Sequence, residues 1–372
     1  MRLGGKTLKI KGGKIMRKMK KVLSLALATA LCVSMAGCSS KPAETQAPKA
    51  EGQAEGSQEA AAPADDYHLV LKLSHVFAPE EQLTKTMDSI AANILERTNG
   101  AIEIQTYPQG QLATYKDGVE QVVRGADFIS VEDPSYLGDY VPDFNILAGP
   151  MLVNSYDEYE YLLETPEVQD MFKRAEEKGI KILSLDYIFG FRSLMTNKVI
   201  TKPEDLKGMK IRTPGSQLYV DTLNHMGATA TPLAFSETIS AVQQGVVDGL
   251  EGTIDAYATN GSAEVAKNMA MTKHLLGVCG AYIGVDVWNK IPEEYRTIMQ
   301  EEFTKGAETM VKNISEGEEA TKQKLETEMG ISFNDVDNAA FAELVAPIYD
   351  NMKDVTPGLY DKFKEAIANM PK

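Results

Sequence analysis

The sequence predicts an α/β protein of two domains, preceded by an export signal and a tether. Its 372 residues are 43% hydrophobic, which is globular in character but too long for one ordinary core. From residue 67 onward, strand-like and helix-like runs alternate, and this rhythm is typical of parallel strands wound with helices. The N-terminal segment, in contrast, has the order of a secretion signal.

The first 66 residues are interpreted as a signal and a tether. A basic run from Met16 precedes the charge-free residues 22–37 and Cys38, and the apolar part is shorter than the about 20 residues of a membrane span. Met35-Ala36-Gly37-Cys38 resembles the lipobox of bacterial lipoproteins, in which the cysteine is lipidated; the alternative is a plain signal with an incidental cysteine. Residues 39–66 contain no aromatic side chain and no aliphatic one larger than alanine, so they cannot bury a core and favour a lipid-anchored tether. The signal is complete from Met16, and we expect translation to start at Met16 or Met19.

Charge argues against nucleic-acid binding. Cleavage before Cys38 removes nine of the 38 Lys and Arg residues and no acid, which leaves 29 basic and 53 acidic side chains, a net charge of −24. Such a surface repels nucleic acid, and it also repels anionic ligands unless a local cluster of positive charge overrides it.

The first domain is predicted from alternating periodicities. Apolar residues at three- and four-residue spacing predict a helix from about Pro79 to residue 97 and a short helix near residues 119–123. Strand-like runs lie at residues 69–73, 102–104 and 127–131, so this part reads strand, helix, strand, helix, strand. A further strand is predicted at residues 180–185.

A second α/β unit is expected to start near residue 190. Its predicted elements are a strand at residues 209–212, a helix at residues 216–225, and a helix capped by Ser236 that covers Ile239, Val242 and Val246.

From Pro292 the pattern becomes helical for near 37 residues, roughly 55 Å at 1.5 Å per residue. This stretch is either one long helix that spans both domains or two helices broken near Gly317. One more helix is predicted around residues 341–349. We therefore assign residues 67–189 plus about 278–317 to domain I and residues 190–277 plus about 318–372 to domain II, with the ligand cleft between them.

No recognisable catalytic constellation is present. The sequence lacks a GxSxG elbow, an HExxH helix, a GxxxxGK[ST] phosphate loop and a GxGxxG turn after a strand. The four histidines are scattered, and Cys279 stands alone after Cys38, so it is expected to be a buried apolar residue. We predict no metal, no cofactor and no enzymatic activity, with an exported enzyme as an alternative.

Two arginines are placed at the ends of strand-like runs, where ligands of open α/β sheets bind. Arg192 follows Phe191, and Arg212 follows Ile211 just before a helix start, whose backbone N–H groups favour an anion. A planar guanidinium can clasp a carboxylate through two hydrogen bonds. The alternative is that each arginine pairs with one of the many acidic side chains of the chain.

The sequence from Leu69 to its end resembles the substrate-binding proteins of tripartite ATP-independent periplasmic (TRAP) transporters, of the C4-dicarboxylate-binding type. Many matched blocks occur in a fixed order. The most specific are Gly190-Phe191-Arg192, Thr196-Asn197-Lys198 and residues 203–212, and others are Leu73-Ser74-His75 and residues 97–104, 232–237, 244–249 and 288–292.

This resemblance implies a two-domain, periplasmic-binding-protein-like fold of type II, with mixed or parallel sheets and a cleft that closes on an organic acid. It implies that Arg212 forms the principal salt bridge to the substrate carboxylate, that Arg192 assists and that Phe235 lines the pocket. Further candidate contacts from the first domain are Glu132, His75 and Tyr136.

One motif departs from the family pattern. Where many members read Gly-Gln-Glu-Asn, this chain reads Gly249-Leu250-Glu251-Gly252, so the asparagine amide often offered to a sugar acid is missing. We keep a carboxylate ligand and expect the loaded protein to meet TRAP membrane subunits while it is lipid-anchored outside the cytoplasm. The main alternative is a binding protein that serves a sensor kinase or chemoreceptor.

Overall fold

Nine strands form one continuous mixed sheet in residues 67–371, the part of the chain that the structure, a computed structural model, describes. The strands are β1 (Leu69–Ser74), β2 (Ile102–Tyr107), β3 (Phe128–Glu132), β4 (Ile180–Thr196), β5 (Lys210–Thr213), β6 (Thr229–Pro232), β7 (Gly249–Gly252), β8 (Asn268–Gly284) and β9 (Ser332–Asn334). The predicted signal peptide, the lipid site at Cys38 and the tether lie outside the described residues.

Helices cover both faces of this sheet. They are α1 (Gln82–Arg97), α2 (Tyr115–Val123), α3 (Phe144–Leu147), α4 (Tyr156–Leu163), α5 (Pro166–Glu177), α6 (Gln217–His225), α7 (Thr238–Gln243), α8 (Ile254–Thr259), α9 (Ser262–Val265), α10 (Val285–Trp288), α11 (Glu293–Thr327), α12 (Asn338–Val345), α13 (Pro347–Asn351) and α14 (Leu359–Ala368). Three short 3₁₀ turns lie at Pro134–Leu137, Pro203–Leu206 and Phe235–Glu237. The predicted α/β class is confirmed.

The strand order is β2-β1-β3-β8-β4-β7-β5-β6, and β9 pairs with β8. β1 is parallel to both β2 and β3, as predicted, and β5 is parallel to β6 and β7. β8 runs antiparallel to β3 and β4, and β4 runs antiparallel to β7. The sheet is therefore mixed, with parallel strands at both ends and an antiparallel centre.

The first helix shows how the sequence sets the packing. Leu83, Met87, Ile90 and Ile94 recur at three- and four-residue spacing on α1 and are buried. They form one apolar stripe, which packs towards β1, β2 and α11. Beyond Arg97 the backbone takes positive φ at Gly100 (83°), a conformation that glycine adopts without strain, and the chain turns into β2.

Four buried clusters flank the sheet. Two of them pack on the β1–β3 half, one beneath α1 and α11 and the other beneath α2 to α5 and α14. The other two pack on the β5–β7 half, one beneath α6 and α12 and the other beneath α7 to α9. The 17-residue strands β4 and β8 pass from one half to the other, and the register of their pairing shifts between Ile188 and Gly190.

The long helix is continuous. α11 runs for 35 residues through Gly317 without a break, about 52 Å at 1.5 Å per residue. Its residues Met299 and Ile314 belong to the cluster beneath α1, whereas Leu325 belongs to the cluster beneath α7 to α9. The prediction of one long helix that spans both halves is confirmed; the residue boundaries of the two domains stay a prediction.

Two local predictions were wrong. Ser236 lies in a 3₁₀ turn and caps nothing: α7 begins at Thr238, and Val246 falls beyond it. The helix predicted around residues 341–349 is interrupted before Pro347, which cannot donate a backbone hydrogen bond. β4 begins at Ile180, where a strand was predicted, and continues to Thr196.

Across residues 67–371, no helix combines the length and the apolarity that crossing a bilayer requires.

Candidate functional site

A cavity of about 60 Å³ lies between the two halves of the core, where β3 ends and β5 leads into α6. Its lining residues come from both halves and are Val76, Phe77, Tyr115, Glu132, Asp133, Tyr136, Phe189, Arg192, Arg212, Pro214, Tyr219, Phe235, Gly252, Thr253, Ala256 and Cys279. Five of the six predicted ligand contacts, namely Arg212, Arg192, Phe235, Glu132 and Tyr136, therefore lie in one place.

Arg212 lies near the end of β5, and only 2% of its surface is exposed to solvent. Its Nε and Nη2 atoms donate to the carbonyl oxygen of Leu233 at 3.1 and 2.8 Å, and its guanidinium lies 5.4 Å from the centre of the Phe235 ring. No carboxylate among residues 67–371 forms a salt bridge with it. A buried cation without a counter-ion is costly, and an anionic ligand in the cavity would supply that counter-ion.

Arg192 is different because its charge is compensated. Its Nε and Nη2 atoms contact the two oxygens of Glu251 at 2.5 and 2.7 Å, a bidentate ion pair. β4 and β7 are antiparallel neighbours and bring the two residues together, with Leu194 opposite Glu251. The alternative considered for both arginines was an ion pair with an acidic side chain of the protein. Within the described residues, Arg192 forms such a pair and Arg212 does not.

The Glu251 carboxylate is ionised. Burial alone raises its pKa, but the charge of Arg192, the nearby ring of His274 and the hydrogen bonds from Arg192 outweigh burial and lower the pKa to about 2. The Nε2 atom of His274 lies 3.8 Å from the carboxylate, and its Nδ1 atom is 2.8 Å from the hydroxyl of Thr272. Burial lowers the pKa of His274, so its ring is neutral at pH 7.

Two acidic side chains lie at the end of β3 on the opposite wall: Glu132 is the last residue of the strand and Asp133 follows it. Burial raises the pKa of Glu132 to about 8, although the backbone N–H of Tyr115 donates to its Oε1 atom at 2.6 Å. Glu132 is therefore largely protonated at neutral pH and can donate a hydrogen bond to a ligand. Burial also raises the pKa of Asp133, whose carboxylate accepts from the backbone N–H of Ser135 and from the hydroxyl of Tyr219.

Tyrosines complete the cavity wall. The rings of Tyr115 and Tyr136 lie 5.7 Å apart, and the Tyr115 hydroxyl accepts from the backbone N–H of Phe235 at 3.1 Å. The hydroxyl of Tyr136, a residue only 9% exposed, has no hydrogen-bond partner within the described residues. A ligand oxygen in the cavity would provide one.

His75 does not line the cavity. It lies at the end of β1 behind Phe77, with 6.0 Å between the two ring centres, and it is fully buried. Burial lowers its pKa to about 4, so the ring is neutral at pH 7. Its predicted role as a direct contact has no support from this position. Cys279 is buried, as predicted, and it is one of the residues that line the cavity.

Sequence reasoning missed several wall residues, chiefly Tyr115, Asp133, Tyr219, Phe189 and Thr253. Asp133 and Phe189 could have been found from the sequence, because Asp133 is adjacent to Glu132 and Phe189 lies three residues before Arg192. Tyr115 and Tyr219 carried none, since only the three-dimensional arrangement brings α2 and α6 to the cavity.

A second cavity, of about 180 Å³, lies between α11 and the segment from Phe189 to Phe191. Its wall contains Asp255 and Glu318 and no basic side chain, so it does not suit an anion. Within residues 67–371, no three His, Cys, Asp or Glu side chains converge as metal ligands would.

A cavity between two halves of an α/β core, joined by long strands and lined by a buried cation, defines a ligand-binding protein of the periplasmic type. Residues 73–354 match the family "Bacterial extracellular solute-binding protein, family 7", and the chain belongs to this family. A solute-binding protein of Chromohalobacter salexigens is 30% identical over 288 residues, which are 77% of this chain and 85% of that protein. The C4-dicarboxylate-binding periplasmic protein of Rhodobacter capsulatus is 26% identical over 77% of this chain and 87% of that protein.

Solved structures agree with the family. A TRAP periplasmic solute-binding protein of Desulfovibrio salexigens, in complex with diglycerolphosphate, is 55% identical with a TM-score of 0.80 and covers 81% of this chain and 97% of its own. One of Fusobacterium nucleatum with sn-glycerol-3-phosphate is 43% identical, with a TM-score of 0.79 and the same coverage. One of Actinobacillus succinogenes with L-galactonate is 29% identical, with a TM-score of 0.78, and covers 81% and 100%. The predicted family and two-domain fold are confirmed.

Proposed function

We propose that this protein captures a small organic acid outside the cytoplasm, holds it through Arg212, and delivers it to the membrane subunits of a TRAP transporter. The observation that carries the proposal is the guanidinium of Arg212, buried in the cavity wall without a carboxylate partner among the described residues. The acid group of the solute takes the place of that partner.

The acid group is a carboxylate or a phosphate ester. Both present two oxygens to the edge of a guanidinium, and both gain charge-assisted hydrogen bonds there. Two relatives with solved structures and at least 43% identity hold glycerol phosphates, and one at 29% identity holds a sugar acid, which supports this range. The neutral carboxyl of Glu132 and the unpartnered hydroxyl of Tyr136 suit the hydroxyl groups of such a solute.

Binding is expected to close the site. Tyr115 contacts Phe235, and Tyr219 contacts Asp133, across the cavity, so both halves of the core hold the closed arrangement together. Removing water strengthens the contact between Arg212 and the acid group, because charges interact more strongly at low dielectric. Bending along β4 and β8 would open the cavity again.

The lipid anchor at Cys38 keeps the loaded protein near the membrane. Cell fractionation tests it: we expect the wild-type protein in the membrane fraction and a Cys38→Ser variant in the soluble extracytoplasmic fraction. Equal release of both proteins would remove the anchor from the proposal and leave solute capture intact.

The proposed ligand class is tested by thermal-shift screening of sugar acids, dicarboxylates and glycerol phosphates, followed by calorimetry on the best compound with wild-type protein and Arg212→Ala. We expect a carboxylate or phosphate ester to raise the melting temperature and to lose at least about tenfold in affinity in the variant. Equal affinity of the two proteins for every binding compound would overturn the role of Arg212.

A further inference from the structure

The charges of the cavity wall point to a selectivity that the family does not specify. This inference deepens the proposed function and rests on it, because it concerns the same cavity. The wall holds two guanidinium groups, those of Arg192 and Arg212, and a solute with two negative charges would need both.

Glu251 forms an ion pair with the second guanidinium, that of Arg192. Its side chain is fully buried, and it takes the Nε and Nη2 edge of Arg192, which is the edge that clasps a carboxylate in two hydrogen bonds. The guanidinium carbon of Arg192 lies 5.9 Å from the centre of the Phe189 ring and 5.1 Å from the centre of the Tyr219 ring. These two aromatic contacts hold the guanidinium against Glu251. A ligand therefore meets Arg192 as half of a neutral pair.

The other ionisable groups add no positive charge. His274 packs behind Glu251 and is neutral, and the tyrosines of the wall have raised pKa values. Glu132 and Asp133 contribute either no charge or a negative one, depending on their protonation. Arg212 is then the one uncompensated cation that the described part of the chain offers to the cavity.

We infer that the site selects solutes with a single negative charge and discriminates against dianions, and that Glu251 sets this preference by neutralising Arg192. A monocarboxylate or a phosphodiester matches the charge of Arg212. A dicarboxylate, or a phosphate monoester in its fully ionised form, brings a second negative charge into a buried site that has no cation left for it.

Wild-type protein tests this without any substitution. A glycerol phosphate monoester gains its second charge near a pKa of about 6, whereas the phosphodiester of two glycerols keeps one charge throughout. Calorimetry at about pH 5 and about pH 7.5 should show that affinity for sn-glycerol-3-phosphate falls at least about tenfold relative to the phosphodiester at the higher pH. Comparing the affinities for glycerate, which has one carboxylate, and malate, which has two, tests the same preference with carboxylates.

Two variants test the part of Glu251. Glu251→Gln keeps the shape of the side chain and uncovers the charge of Arg192, so the affinity ratio of dianion to monoanion should rise at least about tenfold. The double variant Arg192→Gln/Glu251→Gln removes both charges and should return the ratio to its wild-type value. Circular dichroism of each variant establishes that it is folded.

The outcomes separate this inference from the proposed function. If anions bind through Arg212 but mono- and dianions bind equally in wild-type protein, the charge selectivity is wrong and solute capture stands. If no anion binds, the proposed function fails first. If wild-type protein discriminates but Glu251→Gln keeps the wild-type ratio in a folded protein, the role of Glu251 is wrong.

Discussion

The hydroxyl of Tyr219 donates a 2.5 Å hydrogen bond to the carboxylate of Asp133 across the cavity. Tyr219 lies on α6 and belongs to the cluster of the β5–β7 half. Asp133 follows β3 and caps the 3₁₀ turn at Pro134–Leu137, in the other half. One hydrogen bond thus links the two sides of the binding site directly.

Tyr219→Phe should destabilise the ligand-free protein by about 1 to 3 kcal/mol, because a buried carboxylate loses one of its donors. Urea unfolding measures the change. Asp133→Asn on the same background should remove most of the penalty, since the amide carries no charge to be satisfied. A penalty that persists undiminished in the double variant would mean that the ring packing, and not the hydrogen bond, is responsible.

Arg212→Ala should lower ligand affinity at least about tenfold, because deleting one partner of a buried charged contact costs about 2 to 5 kcal/mol. The ligand-free melting temperature should change little, since Arg212 has only the Leu233 carbonyl as an acceptor in the described residues. Calorimetry and thermal unfolding of the same preparation measure both quantities. A large fall in ligand-free stability with unchanged affinity would make Arg212 a structural residue.

Arg192→Met should show the opposite pattern. It leaves the Glu251 carboxylate buried without its cation, and we expect the free energy of unfolding to fall by about 3 to 5 kcal/mol. Adding Glu251→Gln should restore much of it. Chemical unfolding of the single and double variants decides the matter, and a fully stable single variant contradicts the ion-pair assignment.

The Arg192–Glu251 pair should also give an acid-sensitive contribution to stability. The pKa of Glu251 is lowered from 4.5 to about 2, so the folded state loses this contribution as pH falls from the ordinary value through the lowered one. Glu251→Gln should flatten the unfolding free energy in this acid range relative to wild-type protein. The same slope in both proteins would show that other carboxyls cause the acid sensitivity.

Glu132→Gln should stabilise the ligand-free protein at alkaline pH. The pKa of Glu132 is raised from 4.5 to about 8, so its neutral form favours folding below pH 4.5 and this contribution is lost as pH rises through about 8. Above that pH the glutamine variant should be more stable than wild-type protein, and near pH 4.5 the two should be equal. Guanidinium unfolding across this range measures the difference, with the exposed Glu343→Gln as the matched control.

Much of the first half could be predicted from the sequence because its elements have clean periods. β1, α1 and β2 each carry an apolar pattern that belongs to one structure type, and α11 keeps its pattern over 35 residues. β8 was not predicted at all. Every residue from 274 to 284 of this strand is buried, because both faces of the sheet are covered there. The sequence therefore shows no alternation of apolar and polar residues that would indicate a strand.

The site divides in the same way. Arg212 and Phe235 could be predicted because strand ends and the family motif mark their positions. The ion pair of Arg192 with Glu251 could not, since the partners are 59 residues apart and meet only through the antiparallel register of β4 and β7. Sequence singled out the motif around Glu251 as unusual but could not say which cation it would contact.

The last helix has a consequence for how the chain acquires its structure. Leu359 and Phe363 of α14 pack into the same cluster as α4 and α5, some two hundred residues earlier, and β8 lies between β3 and β4. The β1–β3 half of the core therefore gains its last buried contacts only after residues far along the chain have been made. Partly folded forms of the nascent protein therefore expose apolar surface until α14 and β8 are in place.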